Sequence, residues 1–149
     1  MQRAIELAVE NVAAGGGPFG ALVAREDAII AEGANRVTLA SDPTAHAEIS
    51  AIREACRKLG DFQLTGCDLY TSCEPCPMCV GAIYWARLTR VFYGASAADA
   101  AAAQFDDAFI FREFGKPPRQ RRIPMQQFLR DAALVPFQAW LAKSDRTPY

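Results

Sequence analysis

The sequence lacks several features that would point to common protein classes. Its formal net charge is −1, from 16 basic and 17 acidic residues among 149, so it has no basic excess of the kind that domains binding nucleic acid use against phosphates. No apolar run approaches the length of a transmembrane helix, and the first residues lack the apolar core and cleavage site of a signal peptide. No glycine-rich phosphate-binding loop is present. We therefore expect a cytoplasmic domain that binds neither a membrane nor a nucleoside triphosphate.

Histidine is also scarce, occurring once at position 46, whereas cysteine occurs five times. Three of the cysteines, Cys73, Cys76 and Cys79, lie within seven residues. An odd number of cysteines with such close spacing favours a metal site in a reducing compartment over a framework of disulfides.

Apolar periodicity and turn residues predict alternating helices and strands. We predict a helix over 2–14, which ends at three glycines, and a hairpin of strands over 19–25 and 28–32. A polar loop over 36–42, a helix over 43–59 and a strand over 68–72 follow. The remaining predictions are a helix over 75–86, a strand over 90–94, an Ala-rich helix from 97, an acidic-aromatic segment over 105–114 and a last helix around 128–143. This order predicts a single three-layer α/β domain with a mixed sheet over residues 1–149.

The central motif is His46-Ala47-Glu48, followed by Pro75-Cys76-Pro77-Met78-Cys79. It supplies three zinc ligands of the preferred types, one imidazole and two thiolates, and a carboxylate that need not be a ligand. This is the composition of a catalytic zinc site with one open position. The pattern is the known signature of the zinc-dependent nucleobase deaminases.

The chemistry gives each of these residues a task. Cys76 and Cys79 lie at a predicted helix start, where backbone N–H groups and the helix dipole favour thiolate. A zinc ion held by His46, Cys76 and Cys79 would lower the pKa of a bound water to about 7. Glu48 is then placed to take a proton from that water and deliver it to the substrate.

Two other interpretations remain open at this point. Cys73 could join His46, Cys76 and Cys79 in a closed structural Cys₃His site, although its predicted position at a strand end and the presence of Glu48 argue against this. The chain could also be a zinc-stabilised binding module without enzymatic activity, whose folding would be sensitive to chelators.

Beyond this motif, the chain resembles the cytidine deaminase superfamily and, within it, the bacterial guanine deaminases. The metal motif is common to many deaminases, whereas Phe105-Asp106-Asp107 and the terminal Tyr149 narrow the resemblance to the guanine deaminases. The matching segments are 17–20, 42–48, 70–79, 81–87, 105–107 and 136–140.

The resemblance implies a cytidine deaminase-like α/β/α fold, one Zn²⁺ per subunit and hydrolytic deamination of guanine to xanthine and ammonia. It implies metal ligands at His46, Cys76 and Cys79 and a proton shuttle at Glu48. It also implies a homodimer in which the segment from about 128 to 149 can be exchanged between subunits. The substrate-binding residues that it implies are Phe19, Asn35, Ala47, Trp85, Asp107 and Tyr149.

A related enzyme class shares part of this pattern. The tRNA adenosine deaminases also carry a Pro-Thr-Ala-His-Ala-Glu segment, but they resemble this chain less in the last helix, which has few basic residues here. A deaminase of another small aminated heterocycle is a further alternative.

Overall fold

A computed structural model describes every residue from Met1 to Tyr149. The chain divides into two compact units, Met1–Ala108 and Phe109–Tyr149. The first unit contains α1 (Gln2–Ala13), β1 (Gly20–Arg25), β2 (Ala28–Ala34), α2 (Val37–Ala40), α3 (Ala47–Leu59), β3 (Asp68–Cys73), α4 (Pro77–Trp85), β4 (Arg90–Ala95) and α5 (Ala97–Ala102). The second contains α6 (Ala108–Phe114, beginning at the boundary), a 3₁₀ turn (Pro118–Gln120) and α7 (Arg130–Ala142).

The four strands form one mixed sheet in the order β2-β1-β3-β4. β1 is antiparallel to both β2 and β3, whereas β3 and β4 are parallel. The connection between β3 and β4 contains α4, as a parallel pair requires a crossover. The predicted mixed sheet is therefore confirmed.

Alternating side chains of β1 pack into two different hydrophobic clusters. Ala21 and Val23 are fully buried in the cluster that includes residues of α3, while Leu22 and Ala24 are buried with Ala4 of α1. Successive side chains of a strand point to opposite faces, so α1 covers one face of the sheet and α3 the other. The predicted three-layer α/β/α architecture is confirmed.

Glycines bring both helices unusually close to the sheet. A β-carbon at Gly20 would lie 2.3 Å from the carbonyl oxygen of Ala4 in α1, and one at Gly33 would lie 2.3 Å from that of Ala47 in α3. Only glycine permits such an approach of backbone to backbone. The first residue of α3 therefore packs directly on β2, and the start of this helix has a fixed position over the sheet.

The predicted start of the helix over 43–59 is wrong. The helix begins at Ala47, and Asp42 instead closes a turn in which its Oδ1 accepts hydrogen bonds from the backbone N–H (2.8 Å) and the hydroxyl of Thr44 (2.7 Å). His46 is consequently the residue that precedes the helix, and Glu48 lies in its first turn. The prediction for the next helix is also two residues early, because α4 begins at Pro77 and Cys76 precedes it.

Two short helices lie where none was predicted. α2 lies within the predicted polar loop over 36–42, and α6 lies within the acidic-aromatic segment. The strands and the other helices are found close to their predicted positions. No helix combines the length and apolarity that crossing a bilayer requires.

Candidate metal centre

Three potential ligands converge at the starts of two helices. His46 immediately precedes α3, Cys76 immediately precedes α4, and Cys79 lies in the first turn of α4. The Nδ1 atom of His46 is 3.5 Å from the Sγ atom of Cys76 and 3.5 Å from that of Cys79. All three ligand atoms lie within 4.8 Å of one another. The predicted ligand residues are thus brought together, although the two cysteines come from one helix and the histidine from another.

The spacing of these atoms fits a zinc ion. Tetrahedral coordination with a Zn–S bond of about 2.3 Å and a Zn–N bond of about 2.0–2.1 Å separates sulfur and nitrogen by about 3.5 Å. This matches the two distances from His46 to the cysteines. The donor set of two sulfurs and one imidazole is also the type that zinc prefers over hard cations.

The electrostatics of the three side chains favour a thiolate at Cys76. Hydrogen bonds from Cys79 and from the His46 ring lower the pKa of Cys76 to about 4. The hydrogen bond with Cys76 and the burial of the side chain raise the pKa of the Cys79 thiol. The same thiolate at Cys76 raises the pKa of His46. Because a metal ion binds the thiolate and the neutral imidazole, it competes with protons at Cys79 and His46, whose pKa values are raised.

Glu48 lies beside the ligands as a buried carboxyl group. Only 6% of the residue is exposed, and this burial raises its pKa. A carboxyl group with a raised pKa can carry a proton near neutral pH, which an exposed glutamate does poorly.

A cavity of about 620 Å³ opens onto these residues. This volume is in the range of small-molecule sites, and every lining residue belongs to the first unit. Of the predicted site residues, the following line it: Phe19, Asn35, His46, Glu48, Cys76 and Asp107.

The walls of the cavity are held by specific contacts. The backbone N–H of Asn35 donates to the carbonyl of Phe19 (3.0 Å), and the side-chain oxygen of Asn35 accepts from the N–H of Val37 (3.3 Å). The ring of Phe19 meets that of Phe105 edge to face, with 5.0 Å between centroids, a favourable aromatic geometry. Phe19 and Asn35 are therefore fixed relative to each other.

Asp107 contributes a second carboxyl group to the cavity lining. Partial burial and the nearby Cys76 thiolate raise its pKa. The adjacent Asp106 is exposed, and its Oδ1 accepts from the N–H of Ala108 (2.9 Å) at the start of α6.

Three predicted substrate-binding residues lie elsewhere than in the lining. Ala47 is fully buried against β2. Trp85 is the last residue of α4 and is 64% exposed, and Tyr149 is the last residue of the second unit and is 73% exposed. Neither is among the residues that line the cavity of the first unit.

Cys73 is separate from the group of ligand atoms. It lies at the end of β3, lines the cavity, and its Sγ donates to the carbonyl of Ser96 at 3.6 Å. Its neighbour Glu74 also lines the cavity and accepts from the N–H of Ala97 at 2.9 Å. Glu74 was missed in the sequence, where a lone glutamate before a proline gives no signal of its own. Because the thiol of Cys73 already has a partner, the arrangement argues against a closed Cys₃His site.

Comparison with known proteins places these features in a family. Residues 1–95 match the family model described as the cytidine and deoxycytidylate deaminase zinc-binding region. The chain is 57% identical over 150 aligned positions to the guanine deaminase of Bacillus subtilis, covering 100% of this chain and 96% of that protein. The crystal structure of that enzyme superposes with a TM-score of 0.97 over 99% of this chain and 95% of that one.

Two more distant relatives are informative. A structure of the guanine deaminase from Nitrosomonas europaea is 35% identical, with a TM-score of 0.69 over 93% of this chain and 80% of that one. The tRNA-specific adenosine deaminase of Agrobacterium fabrum is 49% identical over 78 residues, which is 52% of this chain and 51% of that protein. The adenosine deaminase match therefore concerns about half of each chain, whereas the match to the Bacillus protein spans both.

Proposed function

Because the chain belongs to the cytidine and deoxycytidylate deaminase family, we propose that it hydrolyses guanine to xanthine and ammonia with one Zn²⁺ per subunit. The observation that carries this proposal is the buried carboxyl group of Glu48, which lines the same cavity as His46 and Cys76, two of the three residues of the ligand cluster. The 57% identity to a guanine deaminase over the whole chain supports guanine as the substrate.

The residues of the cluster have separate roles in this reaction. His46, Cys76 and Cys79 hold the zinc ion, which when bound supplies a water activated for attack near neutral pH. The carboxyl group of Glu48 would take one proton from the water and deliver it to a ring nitrogen of guanine, then take the remaining proton of the added hydroxyl and deliver it to the departing amine, which leaves as ammonia. Its burial favours this task, because the raised pKa makes the protonated form easier to reach than in an exposed glutamate.

Base recognition is proposed for the other cavity residues. Guanine presents N1–H and its exocyclic amine as adjacent donors, and the carboxylate of Asp107 can accept from both. Phe19 offers an apolar ring and Asn35 an amide to the cavity lining. The predicted contributions of Ala47 and Trp85 to base binding stay predictions.

Replacement of Glu48 by glutamine tests the proposal. Glu48→Gln keeps the size of the side chain but removes its ability to carry a proton, so we expect zinc content to persist and guanine turnover to fall by about 10²- to 10⁴-fold. Ammonia release and bound metal would be measured on the same sample. Glu54→Gln is the matched control, since Glu54 lies on α3 and pairs with Arg57 on the surface. Retention of substantial activity by Glu48→Gln would exclude the shuttle role.

The alternative substrate is adenosine in tRNA, which the 49% identity over 78 residues favours. Guanine, adenine, cytosine and an anticodon stem-loop offered to zinc-loaded protein would separate the candidates. Ammonia from guanine alone supports the proposal, and ammonia from the stem-loop alone would replace it with tRNA deamination.

We also propose that residues 1–149 act as one deaminase domain in a cytoplasmic homodimer that breaks down purine bases, and that the segment 128–149 is exchanged between subunits. α7 supports this, because it exposes Val135, Phe137 and Leu141 at 58%, 65% and 66%. An apolar groove in the first unit, bordered by Ile5, Val9 and Phe105, offers a surface for such a helix. Exchange would let Tyr149 reach the cavity of the second copy.

Mixed dimers provide the test of exchange. One subunit carries Glu48→Gln and the other lacks Tyr149, so each homodimer should be inactive. If Tyr149 acts in the partner's cavity, the mixed dimer contains one complete site, and activity should rise toward a quarter of the wild-type value in an equimolar statistical mixture. No recovery after verified subunit exchange would place Tyr149 in the site of its own chain.

A further inference from the structure

Asn11 is a buried polar residue with no assigned role. It lies on α1, and only 6% of it is exposed. Its side-chain amide nitrogen donates to the carbonyl of Gly17 at 2.8 Å and to the carbonyl of Asn35 at 2.7 Å. Both bonds leave the helix and reach backbone that lines the cavity.

The two acceptors belong to different segments of the cavity wall. Gly17 lies in the glycine loop, which we define as residues 15–19 and which ends at Phe19, whereas Asn35 follows β2. The N–H of Phe19 donates to the carbonyl of Gly17 at 2.8 Å, and the N–H of Asn35 donates to that of Phe19 at 3.0 Å. One side chain of α1 therefore closes a network that joins both base-facing residues.

The glycine loop is shaped around this side chain. A β-carbon at Gly16 would lie 2.4 Å from the amide nitrogen of Asn11, and one at Gly17 would lie 2.9 Å from the side-chain oxygen of Asn35. The backbone N–H of Gly16 also donates to the carbonyl of Asn11 at 2.8 Å. The loop is thus packed so closely at Gly16 and Gly17 that neither position has space for a side chain.

The chemistry of the two acceptors selects asparagine. Two carbonyl oxygens need two donors from one small group, which the NH₂ of an amide supplies. An aspartate of the same shape would direct negative charge at both carbonyls, and leucine would leave both acceptors, one buried and one partly buried, without this partner. Since asparagine is not a favoured residue inside a helix, its presence in α1 has a packing reason outside the helix.

We propose that Asn11 is a positioning residue for base binding, which holds Phe19 and Asn35 in register with each other on the cavity wall. This rests on the proposed function, because that function gives Phe19 and Asn35 their contacts with the base. Asn11 does not touch the ligand cluster, whose residues start α3 and α4. Its loss should therefore weaken substrate binding more than it slows the chemical step.

Kinetics of Asn11→Leu and Asn11→Asp test this assignment. We expect KM for guanine to rise at least tenfold, kcat to stay within about threefold and zinc content to be unchanged, as for the loss of uniform binding. Asp68→Leu is the matched control, because it also removes a buried hydrogen-bonding residue, one that pairs with Arg90 at 3.0 Å at the start of β3. All variants are assayed well below their unfolding temperatures, and the control should leave KM unchanged.

Hydrogen exchange supplies a readout that does not depend on activity. Peptides covering residues 15–20 and 34–38 should exchange faster in both Asn11 variants than in wild type. In Asp68→Leu the exchange rates of the same two peptides should stay close to those of wild type. Unchanged exchange and unchanged KM would overturn the proposal, and so would an equal rise of KM in the control. If wild-type protein releases no ammonia from guanine, the proposed function fails, while the exchange experiment still decides whether Asn11 holds the two wall segments together.

Discussion

Asp106 and Asp107 are adjacent residues with different surroundings. Asp106 is exposed and accepts from the N–H of Ala108, two residues further along the chain, in an Asx turn that leads into α6. Asp107 lines the cavity, and partial burial raises its pKa. The pair therefore offers a matched comparison between a carboxylate that forms a turn and one that faces the cavity.

Asp107→Asn should reduce kcat/KM for guanine by about 10- to 100-fold. The amide replaces one acceptor of the carboxylate with a donor that faces a donor of the base, and a hydrogen bond to a charged group contributes about 1.5–3 kcal/mol. Asp106→Asn should change kcat/KM by less than about threefold, because the side-chain oxygen of asparagine can form the same turn. Steady-state kinetics of both variants make the comparison, and equal losses would remove the special role of Asp107.

At the scale of single residues, the sequence predicted those whose short spacing along the chain indicates a metal site. His46, Cys76 and Cys79 could be identified because two cysteines one helical turn apart must share a face. Asn11 could not, since its partners are backbone carbonyls 6 and 24 residues away, and nothing in the spacing of a single asparagine reveals them.

α4 is the element that carries two of the three ligands, and it contains a glycine that its packing does not need. A β-carbon at Gly81 would have no atom within 4 Å, and a glycine inside a helix is less favourable than alanine by about 0.5–1 kcal/mol. The helix that contains Cys79 is therefore less stable than it would be with alanine at position 81.

Gly81→Ala should raise the free energy of unfolding by about 0.5–1 kcal/mol and leave zinc content unchanged. Gly60→Ala is the matched control, since it also has open space around it but has φ +66° at the end of α3, where alanine is strained. Urea denaturation of the two variants should shift in opposite directions. A destabilised Gly81→Ala would show that the glycine has a role in the assembled protein.

Element boundaries show where local pattern stops being informative. Asp42-Pro43 has the composition of a helix start, but the Asp42 side chain is used by Thr44 in a turn, and α3 begins only at Ala47. α2 has four residues and α6 has seven, which is too short for apolar periodicity to develop. The longer helices and buried strands repeat their pattern over enough residues to be predicted.

At the scale of the whole molecule, a zinc ion would cross-link α3 and α4. An ion that binds the folded chain alone stabilises it by about 4 kcal/mol when its free concentration is 1,000 times Kd. Chelation should therefore lower the unfolding temperature at neutral pH, and added zinc should restore it.

This stabilisation by zinc should weaken as pH falls. The pKa values of Cys79 and His46 are raised, so protons compete with zinc at both groups, and a lower pH favours the protonated, metal-free form. Cys76 adds little to this dependence above its pKa of about 4, because it is already thiolate there. Unfolding temperatures with and without zinc, measured from pH 8 to pH 5, should converge toward the acid end. A constant difference across this range would mean that binding displaces no protons.

The close approach of α1 and α3 to the sheet also limits how this chain can diverge. Gly20 and Gly33 face backbone carbonyls rather than substrate, so the demand for glycine there is the same whichever base the cavity accepts. A change of substrate can exchange a lining residue such as Asp107, but it must keep both glycines. The fold therefore requires glycine at these two positions, whereas the cavity residues can change with the substrate.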